Sequence, residues 1–237
     1  MKRLFYIVLP ALLTVATFSC DRTDDTTDNT TDPTDSTTGE WVDLGLPSGL
    51  LWYSVNLGST TTEGYGNYYA WGELQPKSVY SWDTYSYGDY DSVNGYTMYK
   101  YNTLEDYGTV DNKNVLEVVD DAATAEFGYS AHIPTYDDWV ELRNNTTSKW
   151  IKQNGVKGLE FSASNGKSLF LPAAGYRNGN SLYDKGEYCG YWSSTIDTNY
   201  PYEAGSFGFF SSGEGLNYGL GRCYGQPIRA VRSISHD

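Results

Sequence analysis

The side chains able to do acid–base or metal chemistry are few in this 237-residue sequence. Its two histidines are His132 and His236, and the second stands one residue before the C-terminus. A histidine-based catalytic triad would rest on His132, and the surrounding GYSAH does not have the pattern of a nucleophile elbow. The Cys-x-x-Cys and His-Glu-x-x-His spacings of zinc sites are absent from the sequence. We therefore predict a protein that is not an enzyme and that has no metal site and no cofactor.

Adjacent carboxylates occur at Asp120–Asp121 and at Asp137–Asp138. Both pairs fall in predicted helices, where neighbouring side chains point about 100° apart, so neither pair is a natural acid–base dyad. We interpret them as solvated helix faces. A glycan-degrading enzyme stays open as the third alternative, because any two carboxylates can meet in a folded chain.

Charge and composition narrow the class of partner and fold. The chain has 16 Lys and Arg against 30 Asp and Glu, a formal charge of −14. This balance argues against nucleic acid, because duplex binding needs clustered cations that displace counterions from phosphates. With 23 Tyr, 25 Gly and 7 Trp, the composition suits a domain of strands and loops.

The first 40 residues have the pattern of a targeting segment and a linker. Lys2 and Arg3 precede an apolar run over residues 4–18, which predicts a secretory signal over residues 1–19 that is too short to span a membrane. The string TFSC resembles a lipobox, which would make Cys20 the acylated residue. The alternative is an ordinary signal peptide with a chance cysteine.

Residues 20–40 carry Asp and Thr and no large apolar side chain. Such a segment buries too little surface to offset its ordering entropy, so we predict a disordered tether. Its acidic start resembles the surface-export signal of Bacteroides-type lipoproteins, and a solvated spacer is the alternative. The resemblance implies a protein anchored by lipid in the outer membrane, at the cell surface.

Residues 41–237 are predicted to form one domain with short strands and two short helices. Apolar residues alternate at Leu159 and Phe161 and again at Phe207 and Phe209, as in strands with one buried face. Asn-Gly pairs at residues 154–155 and 165–166 predict two hairpins in series. Helices are predicted over residues 115–127 and from Thr135 onward, so the fold class is α+β with antiparallel or mixed sheets and long loops.

Several blocks of sequence resemble the Fibrobacter succinogenes major paralogous domain family. They are WVDLGLPSGLLW, NYYAWGE, YGTVDNKNVLEVVDDAATAEFG, IPTYDDW, SLFLPAAGYRNG, YWSST and IRAVR, and they span residues 41–232. The resemblance implies a C-type-lectin-like fold in an extracytoplasmic module. The calcium-ligand motifs of true C-type lectins are missing, so binding is expected to be independent of metal. Trp192, Ser193, Ser194, Arg229 and Arg232 fall in these blocks and are assigned to the scaffold.

The two cysteines of the mature domain are Cys189 and Cys223. Related sulfatase-activating enzymes of this fold use cysteine chemistry. In an oxidising compartment we instead predict that this even pair forms one structural disulfide, worth about 3 to 4 kcal/mol on the chain-entropy model.

The segment from Gly175 to Gly225 is dominated by Gly, Tyr, Ser and Asn. Tyrosine offers rigid amphipathic contact area at low entropy cost, as in antibody paratopes, although many of these Tyr could instead line a β-rich core. The sequence thus predicts a surface-tethered module that binds or adheres to a protein or glycan ligand. A structural cell-envelope or fimbria-associated protein is the alternative. The predicted ligand-binding residues are Tyr183, Tyr188, Tyr200, Tyr202, Asn217, Tyr218, Arg222 and Tyr224.

Overall fold

The computed structural model describes residues 39–233, which belong to one compact unit. Antiparallel strands dominate them, and two α-helices are short: α1 (Ala122–Phe127) and α2 (Tyr136–Asn145). The described strands are β1 (Trp41–Asp43), β2 (Leu51–Tyr53), β3 (Gly88–Asp91), β4 (Gly95–Met98), β5 (Ala131–His132), β6 (Thr146–Gln153), β7 (Val156–Ala163), β8 (Ser168–Pro172), β9 (Tyr176–Asn178), β10 (Ser181–Tyr183), β11 (Tyr188–Ile196), β12 (Glu203–Phe210), β13 (Gly213–Gly221) and β14 (Val231–Arg232). The prediction of antiparallel sheets with two short helices is confirmed.

The strands form five small sheets. In one of them the order is β1-β2-β14-β5, so the last strand pairs with strands from the start and the middle of the domain. The other sheets are β6-β7-β8, β11-β12-β13, β9-β10 and β3-β4. Among the residues described, no helix is long and apolar enough to cross a membrane.

The predicted hairpins are confirmed. Asn154 and Gly155 have φ angles of +45° and +90° and join β6 to β7. Gly166, with φ of +82°, lies in the turn between β7 and β8. Asn and Gly adopt positive φ at low steric cost, which is why tight hairpin turns select them. The turn residues therefore predicted the order and the antiparallel pairing of β6, β7 and β8.

Helix α2 begins as predicted. The Thr135 side chain accepts a hydrogen bond from the Asp138 amide at 3.1 Å, and the Thr135 amide donates to the Asp138 carboxylate at 2.8 Å. This reciprocal capping box satisfies two amides that a helix start leaves without partners. Trp139 and Leu142 are buried, and Trp139 stacks on Phe207 of β12 with ring centroids 5.0 Å apart.

The first predicted helix is shorter than residues 115–127. A 3₁₀ helix over Val118–Asp120 precedes α1, and Asp121 separates the two. The Asp121 carboxylate accepts hydrogen bonds from the amides of Ala123 and Thr124, both at 2.9 Å. An Asp side chain that binds nearby amides competes with the helical ladder, so the helix begins after it.

The interpretation of Asp120 and Asp121 as a solvated helix face is wrong, because both are buried. Burial raises the pKa of Asp121, against hydrogen bonds from the amides of Ile133, Thr124 and Ala123. Burial would also raise the pKa of Asp120, but hydrogen bonds from Lys100, Tyr101 and Tyr87 outweigh it and lower that pKa. The pKa of Asp120 is thus lowered and that of Asp121 is raised, and both carboxylates accept hydrogen bonds inside the fold.

The residues assigned to the scaffold lie in the interior. Trp192, Ser193, Ser194 and Arg229 are buried, and Arg232 is partly buried over the Trp41 ring. The Arg229 guanidinium donates to the Asn56 side chain and to backbone carbonyls of Tyr53 and Phe170. The assignment of these residues to the framework is therefore consistent with their burial.

Candidate functional site

The structure divides the predicted ligand-binding residues into three groups. Five tyrosines reach the surface: Tyr183 and Tyr200 are 45% and 50% exposed, and Tyr188, Tyr202 and Tyr224 are partly buried. Asn217 and Tyr218 lie on β13, where their backbones pair with Ser206 and Gly205 of β12, and their side chains lie outside what the structure describes. Arg222 is buried.

The prediction that Arg222 contacts a ligand is wrong. Its side chain is 0% exposed and donates to the Tyr85 hydroxyl at 2.9 Å and to the carbonyls of Lys100, Tyr101 and Pro201. The guanidinium also lies 4.7 Å from the Trp71 ring centroid. Its bonding capacity is used inside the fold, so a joint substitution of Arg222 with surface tyrosines would not test binding alone.

A first group of rings surrounds Tyr176. Tyr176 and Tyr183 are partners in the β9–β10 register and stack with centroids 5.5 Å apart. Tyr188 and Tyr224 lie 6.2 Å from Tyr176, and Tyr188 also stacks on Phe210, its partner in the β11–β12 register, at 4.4 Å. Cross-strand aromatic pairs stabilise a sheet, and here they also place rings at its surface.

A second group surrounds Tyr202. Tyr202 stacks on Tyr96 with centroids 3.9 Å apart and an interplanar angle of 12°. Tyr96 pairs with Tyr90 across the β3–β4 hairpin and lies 5.1 Å from Trp82. The ring centroids of Tyr107 and Tyr200 lie 5.4 Å and 6.0 Å from that of Tyr202 and complete the group.

Rings of both groups share one charged neighbour, Glu203. Burial raises the pKa values of Tyr96, Tyr202 and Tyr224, and the charge of the nearby Glu203 carboxylate adds to each shift. Three rings from both groups therefore lie within electrostatic range of one carboxylate. We call the combined surface the aromatic band, and it consists of Trp82, Tyr90, Tyr96, Tyr107, Tyr176, Tyr183, Tyr188, Tyr200, Tyr202, Phe210 and Tyr224.

Glu203 is the first residue of β12 and follows Tyr202 in the chain. Burial, and then the charge of Asp197, raise its pKa. A methyl group in place of the Gly219 hydrogen would stand 3.3 Å from the Glu203 Oε2 atom, so the close approach favours glycine there. Among described residues its carboxylate forms no salt bridge. It can therefore accept hydrogen bonds from a ligand.

Sequence reasoning missed Trp82, Tyr90, Tyr96, Tyr107, Tyr176 and Phe210. One signal for Tyr90 and Tyr96 was available, because Asp91 to Gly95 between them has the composition of a hairpin turn that sets the two Tyr opposite each other. The contact of this hairpin with Tyr202 joins positions about a hundred residues apart. No pattern of neighbouring residues predicts such a contact.

The predicted disulfide is absent. Cys189 and Cys223 are free thiols, and both are buried in the core. The Cys189 Sγ atom lies 3.6 Å from the Gly175 carbonyl oxygen, while burial raises the pKa of Cys223 to about 12. Each thiol packs as a small apolar group, so even number and spacing did not determine bonding.

Residues 39–233 contain no group of three or more His, Cys, Asp or Glu side chains placed to hold a metal ion. His132 lies on β5 with its Nε2 atom 3.8 Å from the Asp138 carboxylate of the capping box. Cys20, the signal segment, most of the tether and His236 lie outside the described residues.

No family model, curated protein or solved structure matches this chain. The geometry of the aromatic band is therefore the main guide to function.

Proposed function

We propose that this chain is a ligand-binding or adhesion module that is tethered to the cell surface and recognises a protein or glycan through the aromatic band. The observation that carries the proposal is two sets of ring contacts between elements. One joins β9, β10, β11 and β12, and the other joins the β3–β4 hairpin to the loop before β12. Tyr90, Tyr183, Tyr200 and Phe210 are about half exposed. Tyr and Trp supply much of the binding energy in protein interfaces, and exposed apolar clusters mark interaction sites.

The proposal includes the C-type-lectin-like fold and the lipid anchor. Support for the fold comes from the placement of the resembling blocks on framework elements. IPTYDDW forms the start of α2, YWSST lies in β11, and IRAVR ends in β14. The aromatic band lies mainly on other strands, at Tyr90 of β3, Tyr96 of β4, Tyr183 of β10 and Phe210 of β12.

A glycan and protein array probed with the lipidated mature protein in detergent tests the binding proposal. The variant Tyr183→Ala/Tyr200→Ala/Phe210→Ala removes three half-exposed rings from the aromatic band. We expect binding to the array ligand to weaken at least about tenfold, because truncation of an anchor residue commonly costs about 2 kcal/mol or more. The melting temperature should fall only modestly, because the lost cross-strand pairs Tyr176–Tyr183 and Tyr188–Phe210 contribute about 0.2 to 1 kcal/mol each.

Tyr129→Ala is the matched control. Tyr129 is 89% exposed and lies between α1 and β5, apart from the aromatic band. We expect its removal to leave binding unchanged. Equal binding by the triple variant and the wild type would refute the role of the aromatic band.

Glu203 provides the one observation that favours the glycan-degrading alternative. A carboxyl group with a raised pKa beside a second carboxylate and aromatic rings has the setting of a general acid. Asp197, however, accepts hydrogen bonds from the amides of Asn199 and Tyr200, which fixes a turn. Release of reducing sugar that Glu203→Gln abolishes would support hydrolysis, whereas binding without release supports the module.

A further inference from the structure

A cavity of about 360 Å³ lies at the Phe210 end of the aromatic band. It is formed by the β6–β7 hairpin, the loop before β11 and the turn between β12 and β13. This volume falls within the range of small-molecule sites. Its side chains are aromatic, basic, acidic and hydroxylic: Trp150, Phe210, Lys157, Glu187, Ser211 and Ser212.

Lys157 has a second lysine directly across from it. The β6–β7 register pairs Lys152 with Lys157, and both side chains are exposed. Like charges placed directly opposite each other destabilise a sheet. The β6–β7 hairpin does not require this destabilising pair, since its turn depends only on Asn154 and Gly155.

Both lysines belong to the face of the sheet that carries the core residues. Side chains alternate along a strand, so Lys152 shares a face with Trp150, and Lys157 shares it with Leu159. Leu159 is buried, and the Trp150 ring lies 5.9 Å from that of Phe209. Because the two lysines are exposed, they lie where this face extends past the core, beside the cavity.

Within the described chain neither lysine forms a salt bridge. Glu187 is the one carboxylate among the residues that line the cavity, and it is exposed. By contrast, Lys149 lies on the opposite face of β6 and pairs across the sheet with Glu160. A second carboxylate, Glu63, contacts the same hairpin, but it accepts hydrogen bonds from the Gln153 and Asn154 side chains and not from either lysine. The two lysines are therefore adjacent cations without an ion-pair partner among the described residues, in a chain whose formal charge is −14.

We propose that this cavity binds an anionic saccharide, with its carboxylate or sulfate group between Lys152 and Lys157. Trp150 and Phe210 offer aromatic surface to the apolar face of the sugar ring. Ser211, Ser212 and Glu187 can pair with neutral hydroxyl groups, which a simple phosphate or sulfate ion would leave unused. The inference rests on the proposed function, because Phe210 also belongs to the aromatic band.

Calorimetry with the lipidated mature protein in detergent tests this site with three probes: an oligogalacturonate, a sulfated dextran oligosaccharide and neutral dextran. We expect binding of at least one anionic probe, weakened by added salt. The variant Lys152→Gln/Lys157→Gln should weaken it at least about tenfold, because two cations that face the anion are lost. Preference for one anionic probe identifies the carboxylate or the sulfate as the recognised group.

Three variants separate recognition from general effects of charge. Lys149→Gln removes one exposed cation from the opposite face of β6 and should leave binding unchanged. Lys152→Arg/Lys157→Arg keeps both charges and should retain binding. Glu187→Gln removes the negative charge beside the cavity and keeps a side chain that can bond hydroxyl groups, so it should tighten binding of the anionic probe.

Wild-type protein that binds neither anionic probe, or a double Gln variant that binds as well as wild type, would overturn the inference. Neutral dextran bound as tightly as the anionic probes would do the same. If the aromatic-band variant loses the array ligands and the double Gln variant keeps them, the proposed function stands without the anionic-saccharide site. If the anionic probes need the two lysines but array binding is unchanged in the aromatic-band variant, the anionic-saccharide site stands and the role of the aromatic band is refuted.

Discussion

Arg222 connects the segments that carry the second group of rings. It follows β13, and its guanidinium donates to Tyr85, to the backbone at residues 100–101 and to the Pro201 carbonyl. These acceptors belong to the segment that carries Trp82 and Tyr96 and to the loop that carries Tyr202. A buried arginine satisfied by neutral oxygens thus connects the segments of the second group of rings from inside the fold.

We predict that Arg222→Ala destabilises the domain by about 3 kcal/mol or more, because it leaves several buried oxygens without a donor. Arg222→Lys should also destabilise, since one ammonium group cannot reproduce the planar set of donors. Urea unfolding followed by circular dichroism measures both.

Tyr200→Ala is the control for Arg222, since it removes a half-exposed side chain from the connected loop. It should change the free energy of unfolding by no more than about 0.5 kcal/mol. An Arg222→Ala variant as stable as the wild type would show that its hydrogen bonds are dispensable.

At the scale of elements, helix α2 depends on its first turn. The Thr135 hydroxyl and the Asp138 carboxylate each satisfy a backbone amide of the other. Trp139, which packs against Trp52 at 4.7 Å and stacks on Phe207, follows directly. The cap therefore sets the position of a central core residue as well as the start of the helix.

We predict that Thr135→Ala lowers the free energy of unfolding by about 1 kcal/mol, the usual cost of losing an N-cap hydroxyl. Chemical denaturation measures it. Asn144→Ala, at an exposed position within the same helix, should have no effect or a small stabilising one, since Ala has the higher helix propensity. Equal effects of the two substitutions would contradict the importance of the cap.

At the scale of the whole molecule, charge is unevenly distributed along the chain. Residues 81–111 contain six Asp or Glu and one Lys, whereas residues 143–167 contain five Lys or Arg and one Glu. The first segment carries part of the aromatic band, and the second forms strands β6 and β7 with the lysine pair. An anionic ligand is therefore expected to enter from the side of the basic sheet.

The proposed anchor also concerns the whole molecule. We predict that Cys20→Ala abolishes incorporation of labelled fatty acid and releases the protein from the membrane fraction, because acyl chains supply about 0.8 kcal/mol per buried methylene. Fractionation of cells and metabolic lipid labelling measure this. As a control, Cys189→Ala should leave membrane association intact, since that thiol is in the core. Unchanged partitioning of Cys20→Ala would contradict the lipoprotein proposal.

The sequence by itself determined the helix starts and hairpin turns that depend on residues close together in the chain. The capping box at Thr135 and the two Asn-Gly turns each act within a few residues, and each formed as predicted. The alternation at Phe207 and Phe209 predicted a strand correctly but its one buried face wrongly, because Ser206 and Gly208 are buried as well and both faces of β12 are covered. The antiparallel class and the two short helices followed from the same patterns.

Tertiary structure alone decided which polar and aromatic side chains are buried. Arg222, Asp120 and Asp121 lie inside because acceptors and donors from distant segments satisfy them, and the same burial keeps both core cysteines as packed thiols. The aromatic band likewise depends on contacts such as that of Tyr96 with Tyr202. Desolvation and long-range pairing set these outcomes, and both depend on neighbours that are remote in the sequence.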